Sequence, residues 1–142
     1  MKPGINFIGI AVVYFCHDGK GNVLLAKRTN NCRDEHGRWD PGGGAIEVGE
    51  KIEEALYREI KEEYGTNIIR TEFLGFREIL QDQQGQRTHW ISFDFKVHVD
   101  RKKVQNLEPQ KHNPLDWFRL DNLPEPMHSQ WPVFLKLYGD KL

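Results

Sequence analysis

The chain has 142 residues, 29% of them charged and 38% hydrophobic, with a formal net charge of −1. This balance fits a soluble globular domain long enough to bury a core without disulfide or metal staples, and it presents no basic field to attract nucleic acid. No apolar run reaches membrane-spanning length, Met1-Lys2-Pro3-Gly4 does not begin a secretory signal, and Cys16 and Cys32 lack C-x-x-C spacing, so the expectation is one cytoplasmic domain over residues 1–142 with reduced thiols and neither nucleic acid nor membrane as a partner.

Ile5 to Phe15 is rich in β-branched and aromatic residues and predicts a largely buried strand. His17 to Asn22 is a turn, and Val23 to Arg28 is a second strand that completes a hairpin. The polar loop Thr29 to Arg38 has no apolar period. Trp39 then opens a glycine-rich approach, Pro41-Gly42-Gly43-Gly44. From Glu50 to Tyr64 neither Gly nor Pro intervenes, Ile52, Ala55, Leu56 and Ile60 recur at helical spacing, and Gly65 stands where a C-terminal cap belongs. Ile68 to Leu80 predicts one or two strands, and residues 82–86 a turn. His89 to Val99 alternates, with Ile91, Phe93, Phe95, Val97 and Val99 on an apolar face and Trp90, Ser92, Asp94, Lys96 and His98 on a polar one. Leu115 to Phe118 is a short strand. Ser129 to Tyr138 is a terminal helix with Trp131, Phe134, Leu135 and Tyr138 on one side and Pro132 in its first turn. Strands before and after one central helix, with a second helix at the end, predict an α/β fold with a mixed sheet between helices.

The central helix carries acids where a surface helix would not. At about 100° per residue, Glu59 and Glu63 each fall within roughly 20° of the Ile52 direction, on the apolar face, and Glu62 lies at its border. Lys51, Glu53, Glu54, Tyr57, Arg58 and Lys61 form the opposite, solvated face. An unpaired buried carboxylate is costly, so inward acids require a cation or a cleft. Glu47, Glu50, Glu53, Glu54, Glu59, Glu62 and Glu63 face only Lys51, Arg58 and Lys61 in this segment. A polyphosphate approaches such a patch only when divalent cations accompany it, which asks for Mg²⁺, with Mn²⁺ as a substitute.

Gly44, Glu50, Arg58-Glu59, Glu62-Glu63 and Gly65 stand at the spacing G-x5-E-x7-R-E-U-x-E-E-x-G-U, where U is bulky and apolar. This pattern resembles the Nudix box, with Thr66 in place of the last aliphatic residue. The resemblance implies a Nudix-type α/β/α sandwich with a mixed central sheet. It implies Glu59, Glu62 and Glu63 as metal ligands, the Gly43 carbonyl as a further one and Glu50 as an accessory, with Arg58 holding the carboxylates in place. Gly43 and Gly44 would let the backbone approach phosphates and metal, although the proline lies one place earlier than in the usual W-x-x-P-G-G. Glu108, in Glu108-Pro109-Gln110-Lys111 ahead of Trp117, resembles a general base found outside the box, with Glu59 or Glu62 as the alternative base. Arg28 corresponds to a basic residue near substrate phosphates, and Trp39 and Trp90 offer faces for stacking on a base. His89 and His98 are scattered and are assigned no metal.

The implied activity is cleavage of a diphosphate linkage in a nucleoside diphosphate derivative. Nucleoside triphosphate giving monophosphate and pyrophosphate comes first, ADP-ribose or a nucleotide sugar second, and coenzyme A well behind. A non-catalytic nucleotide-binding Nudix domain is the reading from another class, and the retained box carboxylates oppose it. Whether the chain forms a homodimer stays open.

Overall fold

In the computed structural model, residues 1–142 are described, apart from the side chain of Gln83. The elements run β1 (Gly9–His17), β2 (Asn22–Arg28), β3 (Trp39–Asp40), β4 (Gly42–Ala45), α1 (Ile52–Tyr64), β5 (Ile68–Gln83), β6 (Gln86–Val99), β7 (His112–Arg119) and α2 (Trp131–Tyr138). The main sheet has the order β3-β2-β1-β6-β5, with β4 paired to β1 and β7 to β2. β1 and β6 are parallel while the other pairs are antiparallel, so the sheet is mixed.

β1 is buried on both sides because it lies between two helices. Val12, Tyr14 and Cys16 join Ala55, Leu56, Ile60 and Tyr64 of α1, together with Phe95, Val97 and Val99 of β6. Phe15 turns the other way, with Val23, Leu25 and Leu74, toward Trp131, Phe134 and Tyr138 of α2. Burying each of these large apolar side chains contributes about 1.5–3 kcal/mol, and the result is an α/β/α sandwich. Among the described residues no helix is long and apolar enough to cross a membrane.

Several elements differ from the sequence expectation in ways that shape the site. The first strand begins at Gly9 rather than Ile5, and Ile5, Phe7 and Ile8 remain exposed. The segment before it is a turn, closed by Gly4 N–H donating to the Phe7 carbonyl at 2.7 Å. It lies over the Trp90 indole, which occupies the space a Cβ at Gly4 or Gly9 would need. The expected hairpin of β1 and β2 pairs at His17–Val23. Beyond that pair β4 takes the edge of β1, from Tyr14–Gly42 to Ala11–Ala45, while β3 runs along Ala26 and Lys27 of β2. The chain 39–45 therefore crosses from one strand to the other.

β5 and β6 extend right up to a two-residue turn at Gln84 and Gly85, both at positive φ (51° and 81°), which suits the twist of a tight hairpin. The polar face of β6 is dry in its middle: Ser92 and Asp94 are buried. Asp94 accepts from Arg77 Nε at 2.7 Å and Nη2 at 2.9 Å, from Ser92 Oγ at 2.7 Å and from the Tyr138 hydroxyl at 2.7 Å. Asp94 is thereby held by donors from both α2 and β5. α1 ends at Gly65, left-handed at φ 63°, whose N–H donates to the Lys61 carbonyl. Thr66 is buried in the place of an aliphatic residue because its hydroxyl donates to the Asp100 carbonyl at 2.5 Å.

Candidate active site

A cleft of about 650 Å³, within the range of small-molecule sites, opens where β1 and β2 part. Its walls are β4, the inward face of α1, the segment around residues 108–112, and the ends of β5 and β6. The loop 29–38 is folded against the 108–112 segment: Thr29 Oγ1 and Asn31 Nδ2 both donate to the Gln110 carbonyl, at 2.6 and 2.9 Å.

The carboxylates of α1 meet β4 at the cleft edge. Ala55, Leu56, Ile60, Glu63 and Tyr64 are the buried residues of the helix, whereas Ile52, the reference for its inward direction, is exposed at its start. Glu63 is 4% exposed, and its Oε2 has no hydrogen-bond partner within 3.5 Å among the described residues, although the Tyr14 hydroxyl, likewise without one, is near enough to favour the charged carboxylate. Glu59 is mostly covered, and Glu62 is half exposed. Gly44 lies directly over Glu59, so that a Cβ at Gly44 would fall on the carboxylate itself. Gly42 is bounded instead by the Tyr14 ring and the Tyr64 hydroxyl, and Gly43 by the Val12 carbonyl. The triplet is needed for close approach; none of the three glycines has a positive φ.

Arg58 ties this set together. Nε and Nη2 donate to the two oxygens of Glu50 at 2.6 and 2.9 Å, a bidentate pair. Nη1 donates to Glu59 at 2.8 Å and Glu62 at 3.3 Å, and Nη2 also reaches the Ala45 carbonyl at 3.1 Å. The Arg58 bond holds the Glu50 carboxyl down at about 2. Burial has the opposite effect on Glu59, raising it against the pull of Arg58. Glu63 is pushed well above the usual carboxylate range by burial and by the nearby charges of Glu108, Glu59 and Asp40. Across the cleft, burial lifts Asp40 to about 7 even though Arg28 Nη1 lies 3.4 Å from its carboxylate. Acids thus outnumber the bases that face them, and the Glu63 carboxylate among them is desolvated. A cation would offset this excess of negative charge.

A family model described as the NUDIX domain matches residues 8–137. The chain belongs to the Nudix family. Nucleoside triphosphatase NudI of Escherichia coli is 46% identical over 52 residues, 37% of this chain and 37% of that protein. The chain spans about a third of the length of the curated relatives it matches. Among solved structures, a MutT Nudix hydrolase from Burkholderia pseudomallei superposes with a TM-score of 0.78 at 29% identity, covering 91% of this chain and 96% of that one. A MutT protein from Bacillus halodurans gives 0.70 at 25% identity, covering 91% and 80%.

The Nudix box thus supplies one wall of the cleft, and other residues singled out by sequence fall around it unevenly. Arg28 lines the cleft but is engaged, donating Nε to the Asp34 carbonyl and Nη2 to the Asp34 carboxylate, both at 3.0 Å. Trp90 lines the far end, with the Arg33 guanidinium 5.0 Å from its ring centroid. Trp39 does not line it. Its indole packs edge-on against Phe118 at 4.9 Å, on the α2 side of the sheet, so the expectation that it stacks on a base is corrected by this packing. Glu108, the expected general base outside the box, sits against Glu63, with His112 beside both. Burial and the charges of Arg28 and Lys111 lower His112 to about 4, so its imidazole is neutral. Sequence reasoning did not single out His112. Its signal was the spacing from Glu108, four residues on, which places two side chains together once the chain makes a single turn.

Proposed function

We propose that this Nudix chain is a divalent-metal-dependent hydrolase that cleaves nucleoside triphosphates to the monophosphate and pyrophosphate. The observation that carries this reading is the buried Glu63 carboxylate with its unpartnered oxygen, set beside Glu59 and Glu108 in a nucleotide-sized cleft. These residues fit a divalent cation. Glu59, Glu62, Glu63 and the Gly43 carbonyl would hold it, with Glu50 acting through Arg58. When bound, such an ion offsets phosphate charge and lowers the pKa of a coordinated water.

The residues of the chain divide the remaining work. Arg58 is a positioning residue, since its hydrogen bonds orient Glu50 and Glu59 rather than face the cleft centre. Arg28 and Lys111 bring positive charge to the opposite wall, where a phosphate chain would lie. Glu59 is our choice for the group that accepts the proton of the attacking water: Arg58 holds only one of its carboxylate oxygens, and the oxygen that a cation leaves free would take the proton. The water oxygen bonds to the α-phosphorus, the bond to the bridging oxygen breaks, and pyrophosphate departs with the electron pair. Trp90 and Arg33 mark the end at which the nucleobase would stack. The nucleoside triphosphatase name of the Escherichia coli relative supports this choice of substrate.

The test is a panel of nucleoside triphosphates, ADP-ribose and nucleotide sugars with Mg²⁺, in which nucleoside monophosphate, orthophosphate and pyrophosphate are read separately. Pyrophosphate without orthophosphate, abolished by a chelator, is expected. Preferential turnover of ADP-ribose or a nucleotide sugar would move the substrate to the second class, and no turnover of any compound would reject the hydrolase reading.

A further inference from the structure

The segment before β7 sets an imidazole against the box carboxylates. Glu63, Glu108 and His112 each present one ligand atom, and the three atoms lie within 4.8 Å of one another. Backbone bonds fix this arrangement. The Leu107 N–H donates to the carbonyl of Glu63 itself at 3.0 Å, and the Gln105 N–H to that of Tyr64 at 2.8 Å, so the loop is docked on the last turn of α1. The Glu108 carbonyl then accepts from both Lys111 and His112 N–H, each at 3.0 Å. That single turn brings positions 108 and 112 to one side. Asn106 Nδ2 donates to the His112 carbonyl at 2.6 Å, and His112 stands opposite Arg28 in the β2–β7 register. The His112 ring makes no hydrogen bond among the described residues, and Glu63 Oε2 is buried beside it without a hydrogen-bond partner among them.

We propose that His112 is a nitrogen ligand in a metal site completed by Glu63 and Glu108, and that this site favours Mn²⁺, Co²⁺ or Zn²⁺ over Mg²⁺. The proposal rests on the metal-dependent reading given above. Mg²⁺ takes oxygen ligands and keeps its waters, whereas imidazole suits first-row transition ions. Two carboxylates and one imidazole form the three-ligand set of a catalytic ion, which leaves positions for water and a substrate phosphate. Bonds of about 2.0–2.2 Å set neighbouring ligands roughly 3 Å apart, so the triangle draws inward on binding. Glu63 is the fixed corner, already desolvated, and His112 and Glu108 ride on the loop that its own backbone anchors.

The metal-free full chain is titrated with Mn²⁺, free ion is followed by electron paramagnetic resonance, and Mg²⁺ serves as competitor. Pulsed spectra of the Mn²⁺-loaded wild type should carry ¹⁴N coupling from a directly bound imidazole. His112→Asn should lose it while His128→Gln keeps it. Mn²⁺ affinity should fall on the order of 10–100-fold in His112→Asn, and Mg²⁺ affinity by less than about threefold. Tight Mn²⁺ binding without nitrogen coupling in the wild type overturns the proposal and leaves the carboxylate centre standing. Equal losses of Mn²⁺ and Mg²⁺ affinity overturn the selectivity. A wild type that binds neither ion overturns the metal-dependent reading as well. Because the decisive spectrum is read on the wild type, a poorly folded variant does not blunt the test.

Discussion

Gly44→Ala separates the catalytic use of the glycine triplet from its structural use. A Cβ at Gly44 lands on the carbon and both oxygens of the Glu59 carboxylate. β4 cannot retreat, because it is paired to β1 from Ala11–Ala45 through Tyr14–Gly42. Glu59 must therefore swing away by about 1 Å or more and give up its 2.8 Å bond from Arg58. A misplacement of about 1 Å costs on the order of 10²-fold in rate, equivalent to about 2.7 kcal/mol of barrier. The collision is with the end of a flexible side chain, so the stability loss should stay near 1 kcal/mol, or about 3 °C in Tm. Gly42→Ala should show the reverse balance. Its Cβ meets the buried Tyr14 ring and Tyr64 hydroxyl, and about 3 kcal/mol of stability should be lost. Metal-dependent pyrophosphate release and a thermal melt, run on both variants, check this. Wild-type turnover in Gly44→Ala, or a loss explained wholly by unfolding at the assay temperature, would refute the reasoning.

Glu63→Gln removes a charge that burial disfavours, so the metal-free variant should melt at or above the wild type. With metal at a hundred times its Kd the wild type should gain about 2.7 kcal/mol, roughly 8 °C in Tm, and the variant nothing; an equal gain in both places the ion elsewhere. Asp94→Ala strands Arg77, Ser92 and Tyr138 around a missing acceptor and should cost about 3–5 kcal/mol in urea unfolding. A cost under about 1 kcal/mol would contradict the buried-pair argument. His17 is lowered to about 4, by burial first and then by Lys96 and His98, and its Nδ1 accepts from the Gly19 N–H. The unfolded chain takes up that proton first, so this contribution to stability is whole above about pH 6.5 and is lost as pH falls toward about 4. His17→Gln should flatten the acid limb of the stability profile over that window, and an unchanged slope would count against it.

What was legible in the sequence was local. The 3.6-residue period of α1 requires only its own side chains, and it correctly turned Glu63 inward among Ala55, Leu56 and Ile60. Gly65 could be read as a cap because a left-handed turn is a property of one residue. The alternation of β6 was equally readable, but the fate of its polar face was not. Ser92 and Asp94 are dry because Arg77 arrives from β5 in register with Ser92, and Tyr138 from the far end of the chain. The same limit hid the parting of β1 and β2, which depends on β4 taking the edge of β1. It also hid the place of Trp39, which is set by Phe118 on β7. His112 was missed because Leu107 N–H bonds to Glu63, a pairing 44 residues apart that no periodicity records.

On the proposed function, a cation held by the buried acids of α1 drives diphosphate cleavage in this cleft. The most direct measurement is pyrophosphate release from a nucleoside triphosphate by chelator-treated protein as Mg²⁺ is added back, for the wild type and Glu63→Gln. Wild-type turnover should rise from near zero to a plateau, while the variant stays at least about 10²-fold lower at every concentration. Full turnover by the chelated wild type, or a Glu63→Gln curve matching the wild type, would contradict the account.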